Sequence, residues 1–163
     1  MSNEISFKQI GVIHSPFTEP AGTPIQPPGA DGAKGSVELF PEYAEGLEDL
    51  EGFSHIFLIY YFHKSGGGRP LRFIPFLDDN YHGVFAMRGP SRPNRIGLSV
   101  VALGSIEDNV LHVRDVDILD GTPLLDIKPY VPQFDARKNV KIGWLKTKVE
   151  KLEGASDDGR FAE

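Results

Sequence analysis

At 163 residues, with 40% hydrophobic and 25% charged side chains, the chain is long enough to bury the core of one soluble domain. It contains no cysteine, which excludes disulfides and thiolate-held metal, and no apolar run near the ~20 residues of a membrane-spanning helix. A net charge of −6 excludes a uniformly positive surface.

The first segment, Ile5–Ile13 (ISFKQIGVI), reads as a strand interrupted at Gly11. The N-terminus lacks the apolar centre of a signal peptide, so a cytoplasmic location is expected. From Pro16 to Gly35 the composition changes, and five of the 13 prolines fall there. A loop of that length inside a compact domain is expected to serve function. Ser36–Phe40 reads as a short strand. Pro41–Gly52 reads as a helix, with Pro41 in its first turn, Tyr43, Leu47 and Leu50 on one face, and Gly52 as its cap. Phe53–His63 (FSHIFLIYYFH) is apolar throughout, the pattern of a central strand buried on both faces. His55 and His63 bracket it. Without a third ligand they are poor evidence for metal; His55 suits a structural role, and His63 is the better functional candidate.

Leu71–Phe76 reads as another strand, followed by a turn at Asp78–Asn80. The stretch Phe85–Val101 (FAMRGPSRPNRIGLSVV) then sets Arg88 and Arg92 in a loop stiffened by Pro90 and Pro93, between expected strands at Gly83–Met87 and Leu98–Leu103. Fixed arginines either recognise a carboxylate or phosphate or close a structural ion pair. From Lys64 to Arg95 six basic residues stand against Asp78 and Asp79, a net +4 that leaves −10 on the rest. Such a stretch suits an anionic partner, though a solvated, salt-bridged face explains it equally.

Leu98–Glu107 and Val110–Leu119 form an expected hairpin across Asp108-Asn109. Asp120–Pro123 is a tight turn by composition. Beyond it, extended Leu124–Lys128 puts Asp126, Lys128 and Tyr130 on one face and Leu125 and Ile127 on the other. Those three make either a usable polar site or an ion pair beside a structural tyrosine. Residues 139–152 carry helical spacing at Ile142, Leu145, Val149 and Leu152. The fold expected is mainly β: a small, single-sheet, closed or nearly closed barrel with one or two flanking helices. Residues 1–152 read as one domain and 153–163 as a flexible tail. No G-x-G-x-x-G or P-loop appears, which argues against a Rossmann domain.

Five stretches taken together resemble the TrmO family of tRNA N6-threonylcarbamoyladenosine methyltransferases: IGVIHSPF (Ile10–Phe17), TPIQPPG (Thr23–Gly29), LEDLEGFSHIFLIYYFH (Leu47–His63), GVFAMRGPSRPNRIGLSVV (Gly83–Val101) and DILDGTPLLDIKPYVPQFD (Asp117–Asp135). The resemblance implies a homodimeric barrel that uses S-adenosylmethionine (SAM) and no metal. Its implied reaction is methylation of the exocyclic nitrogen of a threonylcarbamoylated adenosine beside the anticodon. It further implies SAM contacts at Gln26, Pro27, Pro28, His63, Lys64, Arg88, Leu98 and the turn Asp120, Gly121, Thr122 and Pro123. In two places the chain departs from the family loop, which runs close to R-S-P-x-R-P-N-P-I-G: Gly89 stands for the serine and Arg95 for the last proline.

The chemistry this implies needs alignment of donor and acceptor more than a covalent nucleophile. Removing the acceptor N–H proton would help, and His63, Asp126 or Tyr130 are the candidates. Arg92, Arg95 and Lys128 are candidates for substrate contacts, the arginines for a threonyl carboxylate. Lys64, Arg69 and Arg72 are expected to meet phosphates of the anticodon arm. Two rival readings are a non-catalytic RNA-binding barrel and a hydrolase built on His63 and Asp126. The second lacks a nucleophile motif.

Overall fold

The computed structural model describes residues 3–66, 70–152 and 154–162; Arg69 lies outside them. The chain forms β1 (Gly11–His14), β2 (Lys34–Leu39), β3 (His55–Tyr61), β4 (Arg72–Phe73), β5 (His82–Gly83), β6 (Ile96–Glu107), β7 (Val110–Arg114) and β8 (Thr122–Pro129), followed by the one-turn helix α1 (Pro132–Asp135). Six of these strands close an antiparallel barrel in the order β1-β2-β7-β6-β3-β8, with β8 returning to β1; β4 and β5 pair as a separate ribbon.

Alternation along the strands builds the core. Ile56, Leu58 and Tyr60 of β3 point inward with Val101 of β6, Leu111 and Val113 of β7, and Ile13, Val37 and Leu124. The interior is therefore packed with branched side chains, as a barrel of this size requires. The hairpin between β6 and β7 turns at Asp108-Asn109 as the sequence predicts. Asp108 takes φ 54°, and the Asn109 side chain donates to the Leu39 carbonyl at 2.6 Å, which ties the turn to β2.

Several boundaries differ from the sequence reading. β1 begins at Gly11, and Ile5 and Phe7 before it are exposed. Gly11 does not interrupt a strand. It opens one at the closest approach of β2, where a Cβ would lie 2.4 Å from the Glu38 carbonyl oxygen. β2 starts at Lys34, inside the stretch read as loop. β3 is buried on one face only, because it is a barrel wall: Phe57, Ile59 and Tyr61 face outward and are half-buried. The ribbon strands are two residues each where longer strands were expected, since Pro70 and Pro75 remove ladder donors beside β4 and Val84–Ala86 turns into a 3-10 segment. β7 stops at Arg114, where Asp115 turns to φ 65°, although Val116 and Ile118 still enter the core.

Both expected longer helices are 3-10 instead. Pro41–Leu47 and Leu50–Gly52 are separated by Asp49 at φ 65°, yet Leu47 is buried and Tyr43 and Leu50 pack on the core. Gly143–Thr147 and Val149–Leu152 form a strap held to the β4–β5 ribbon and the segment after it through Trp144. In β8 a bulge pairs Ile59 with Asp126 but Tyr60 with Leu124. Leu125 is the extra residue, so Leu124 and Ile127 turn to the core while Asp126 and Lys128 stay outside. The last residues, read as a flexible tail, are held: Ser156 bridges Pro24, Ala162 bridges Ser65, and Phe161 sits edge-on between Phe73 and Phe76.

Candidate active site

A cavity of about 1280 Å³ lies along β3 and β6, lined from His55 and Phe57 to His63 and by Leu98 and Val100. Its walls come from segments far apart in the sequence: the proline-rich loop, the residues after β3, the arginine loop, the turn before β8, the strap and the tail. Pro27 and Pro28 open a 3-10 turn behind Gln26, and their fixed φ holds that wall without a ligand. Arg88 reaches across from its own loop and donates to the Gln26 side-chain oxygen at 3.2 Å.

His63 leaves the end of β3 and half-enters the cavity. Burial, with the Lys64 charge second, pushes its pKa down, so the ring is neutral near pH 7. The Thr122 hydroxyl gives its only proton to the Leu119 carbonyl at 2.7 Å, and His63 Nδ1 lies 3.4 Å from the same oxygen. Nδ1 is therefore the protonated nitrogen and Nε2 carries the free lone pair.

The arginine loop uses its cations internally. Arg92 donates to the Met87 and Gly89 carbonyls at 3.0 and 3.2 Å, and Arg95 donates to the Ser65 carbonyl at 2.6 Å while covering the Tyr61 ring. Arg92 lines the cavity, whereas Arg95 does not. In the turn before β8, Thr122 lines the cavity but Asp120, Gly121 and Pro123 lie behind it. Asp120 accepts from the Ser15 backbone N–H, Gly121 turns at φ 77°, and Pro123 pairs with Val12.

Asp126, Lys128 and Tyr130 are not brought to the cavity. Asp126 and Lys128 form an exposed ion pair at 2.8 Å on the outer wall, and Tyr130 packs edge-on against Phe57 and His55. The structure thus separates them from His63.

A buried polar chain takes their place. Ser99 donates to Asp117 Oδ1 at 2.6 Å, which commits the serine proton, and the Tyr60 hydroxyl donates to Ser99 Oγ at 2.9 Å. Tyr60 can lie over the β6 backbone because residue 97 is glycine; a Cβ there would stand 2.2 Å from the ring. Asp117 is half-buried in the cavity wall. Burial pushes its carboxyl up to about 7, against the opposing Ser99 hydrogen bond and Arg88 charge. Sequence reading missed this group. Its signals are a serine in the inward row of an apolar strand and an acid three residues before the Asp120-Gly121 turn.

Residues 12–136 match the family described as tRNA-methyltransferase O N-terminal domain. A probable S-adenosyl-L-methionine-binding protein of Pyrococcus abyssi is 59% identical over 96% of this chain and 85% of its own length. The chain belongs to the TrmO family.

Among its relatives, the tRNA (adenine(37)-N6)-methyltransferase of Escherichia coli is 40% identical over 80% of the chain, which spans 59% of that protein's length. A crystal structure of TrmO from Pseudomonas aeruginosa superposes with a TM-score of 0.73 at 41% identity, covering 87% of this chain and 63% of the other. Against the TrmO loop pattern, Arg95 takes φ 38°, which a proline cannot adopt, and its backbone N–H donates to the Arg92 carbonyl at 3.3 Å. The N–H gained by losing that proline therefore closes a turn inside the loop.

Proposed function

We propose that this chain is a SAM-dependent methyltransferase acting on the N6 nitrogen of adenosine 37 in tRNA. The form accepted carries the threonylcarbamoyl group, and the enzyme works as a cytoplasmic homodimer. One observation carries the reading: Gln26, Pro27, Pro28, His63, Arg88, Leu98 and Thr122, drawn from four matched segments, converge with Lys64 on one cavity in a chain whose relatives are named for binding SAM or methylating tRNA.

The residues present fit SAM. The cavity has room for a nucleoside cofactor together with an acceptor base. Its wall offers apolar surface from Phe62 and Leu98 and a guanidinium from Arg88 for a carboxylate. Ser65 Oγ is buried in the same wall without a partner among the described residues, a donor left for a ligand. When bound, SAM supplies a sulfonium-activated methyl group, already electrophilic enough for in-line displacement.

The protein's own part is alignment and proton handling. Pro27, Pro28 and the tethered Arg88 hold one side of the cavity fixed, so little ordering is left for binding. The acceptor N–H must lose its proton as the N–CH3 bond forms. Asp117 receives it on the oxygen not engaged by Ser99, and a carboxyl near neutrality is better matched to that work than one near 4. Ser99 and Tyr60 keep the carboxyl oriented from behind.

Calorimetry should show about one SAM site per chain, and labelled SAM should pass its methyl group to tRNA bearing the threonylcarbamoyl group. Absence of heat at millimolar SAM would remove the reading. SAM binding with no methyl transfer to either tRNA form would leave a SAM-dependent binding barrel instead.

A further inference from the structure

We infer that the strap Arg137–Lys151 is the surface on which this protein holds RNA phosphates, an inference that rests on tRNA being the substrate. Between residues 137 and 151 six cations stand against one carboxylate, Glu150. That net +5 leaves −11 on the rest of a chain whose total is −6. An anionic polymer is repelled by most of the molecule and attracted here.

The side chains are free to act. Lys138, Lys141, Lys146 and Lys151 are exposed, and among the described residues none has a carboxylate within ion-pair distance. Arg137 donates only to the neighbouring Phe134 and Ala136 carbonyls. The stretch from Lys64 to Arg95 differs. There Arg92 and Arg95 are spent on backbone carbonyls, Arg88 is held by Gln26 at the cavity wall, and Lys64 donates to the Thr18 carbonyl. Those cations shape the cavity; the strap's lysines face water.

The strap is also fixed at the right place. Trp144 stacks on His82 with ring centres 4.4 Å apart and donates to the Ala86 carbonyl at 2.8 Å. Lys148 pairs with buried Asp78 at 3.4 Å. Trp144, Leu145, Val149 and Leu152 consequently line the cavity, and the exposed Lys146 and Lys151 adjoin Leu145 and Leu152 in the chain. Phosphates seated on the strap bring an adjacent splayed base to the opening. The cations belong beyond residue 136, outside the stretch matched to the family.

The test is tRNA binding by the full chain carrying Lys138→Ala, Lys141→Ala, Lys146→Ala and Lys151→Ala together, measured by fluorescence anisotropy from 50 to 200 mM salt. Each lost phosphate contact should lower the slope of log affinity against log salt by roughly 0.7–0.9, so the four together should lower it by about three. The weakening should be equal for tRNA with and without the threonylcarbamoyl group, with SAM heat and melting temperature unchanged, and the four corresponding Lys→Arg changes should restore binding. Wild-type affinity and slope in the alanine variant, beside a wild type that binds and methylates tRNA, would overturn the strap and leave the enzyme reading standing. A wild type that binds no tRNA at any salt would overturn both. Loss confined to a polyglutamate probe, with tRNA binding kept, would overturn the inference in favour of an acidic protein partner.

Discussion

Asp117 joins two costs in one side chain. An ordinary aspartate titrates near 4, whereas this carboxyl is pushed up to about 7 by burial. Between those values the folded protein holds a proton that the unfolded chain has released, so stability falls as pH rises from about 4 to about 7. Asp117→Asn keeps an oxygen for Ser99 and removes the charge. It should melt higher than wild type at pH 8, with the gap closing towards pH 4; an equal gap at both values would contradict the titration. The same variant should keep its SAM heat while losing about 10²-fold in methyl transfer, and the wild-type rate should rise through about pH 7 where the variant's does not. Wild-type turnover from the variant would return the proton to His63 Nε2. None of this was legible from spacing, because the partners Tyr60, Ser99 and Asp117 lie on three elements whose register only the barrel fixes. Asp126, Lys128 and Tyr130 drew attention because they sit in one row of one strand, where local pattern is easy to read. The bulge and barrel closure then turned that row outward.

Among the elements, the strap depends on a single clasp. Asp78 is 8% exposed and accepts from His82 at 2.7 Å, and His82 in turn carries the Trp144 ring. The His82 hydrogen bond, followed by the Asp79 backbone N–H, holds the Asp78 carboxyl well below the usual carboxylate range. Because its folded pKa is depressed, the stabilisation is present above about 4 and is lost as pH falls below that towards the folded value. Asp78→Asn should therefore loosen the strap at neutral pH as acid does in the wild type. Amide exchange over residues 141–152 should quicken on the order of tenfold while the barrel strands keep their protection. Uniform quickening would show that the clasp serves the whole fold. The hairpin and three of this strap's four apolar positions follow the sequence reading, but its helix type does not. Of the regularly spaced Ile142, Leu145, Val149 and Leu152, the last three line the cavity while Ile142 stays exposed; Gly143 at φ 57° prevents the α-helix that the spacing suggests. Likewise Leu47 and Leu50 reach the core from a broken 3-10 path around Asp49.

For the whole molecule, the barrel class was legible because short alternating runs with tight turns leave few other ways to pair every edge. Oligomeric state is a separate matter of surface. Ile96 at 37% and Phe85 at 79% exposure stand at the cavity's edge, an apolar margin that suits a second copy. Light scattering at micromolar concentration should give about twice 18.0 kDa. A monomer that methylates tRNA at the same concentration would separate the activity from the dimer.

The seam of the barrel, where Gly11 pairs with Leu124, also bears on how the protein is made. A nascent chain leaves the ribosome N-terminus first, so β1 emerges with one edge unmatched and waits for nearly the whole remaining barrel before β8 arrives. Until then its only available neighbour is β2. The β6–β7 hairpin and the β3–β6 pair are complete earlier and supply the template on which the late strand docks. Phe161, which completes the wall behind Gly89, follows every barrel strand in the chain. A chain made only as far as β8 could close its barrel but not its cavity, so the competence to bind is acquired after the barrel fold itself.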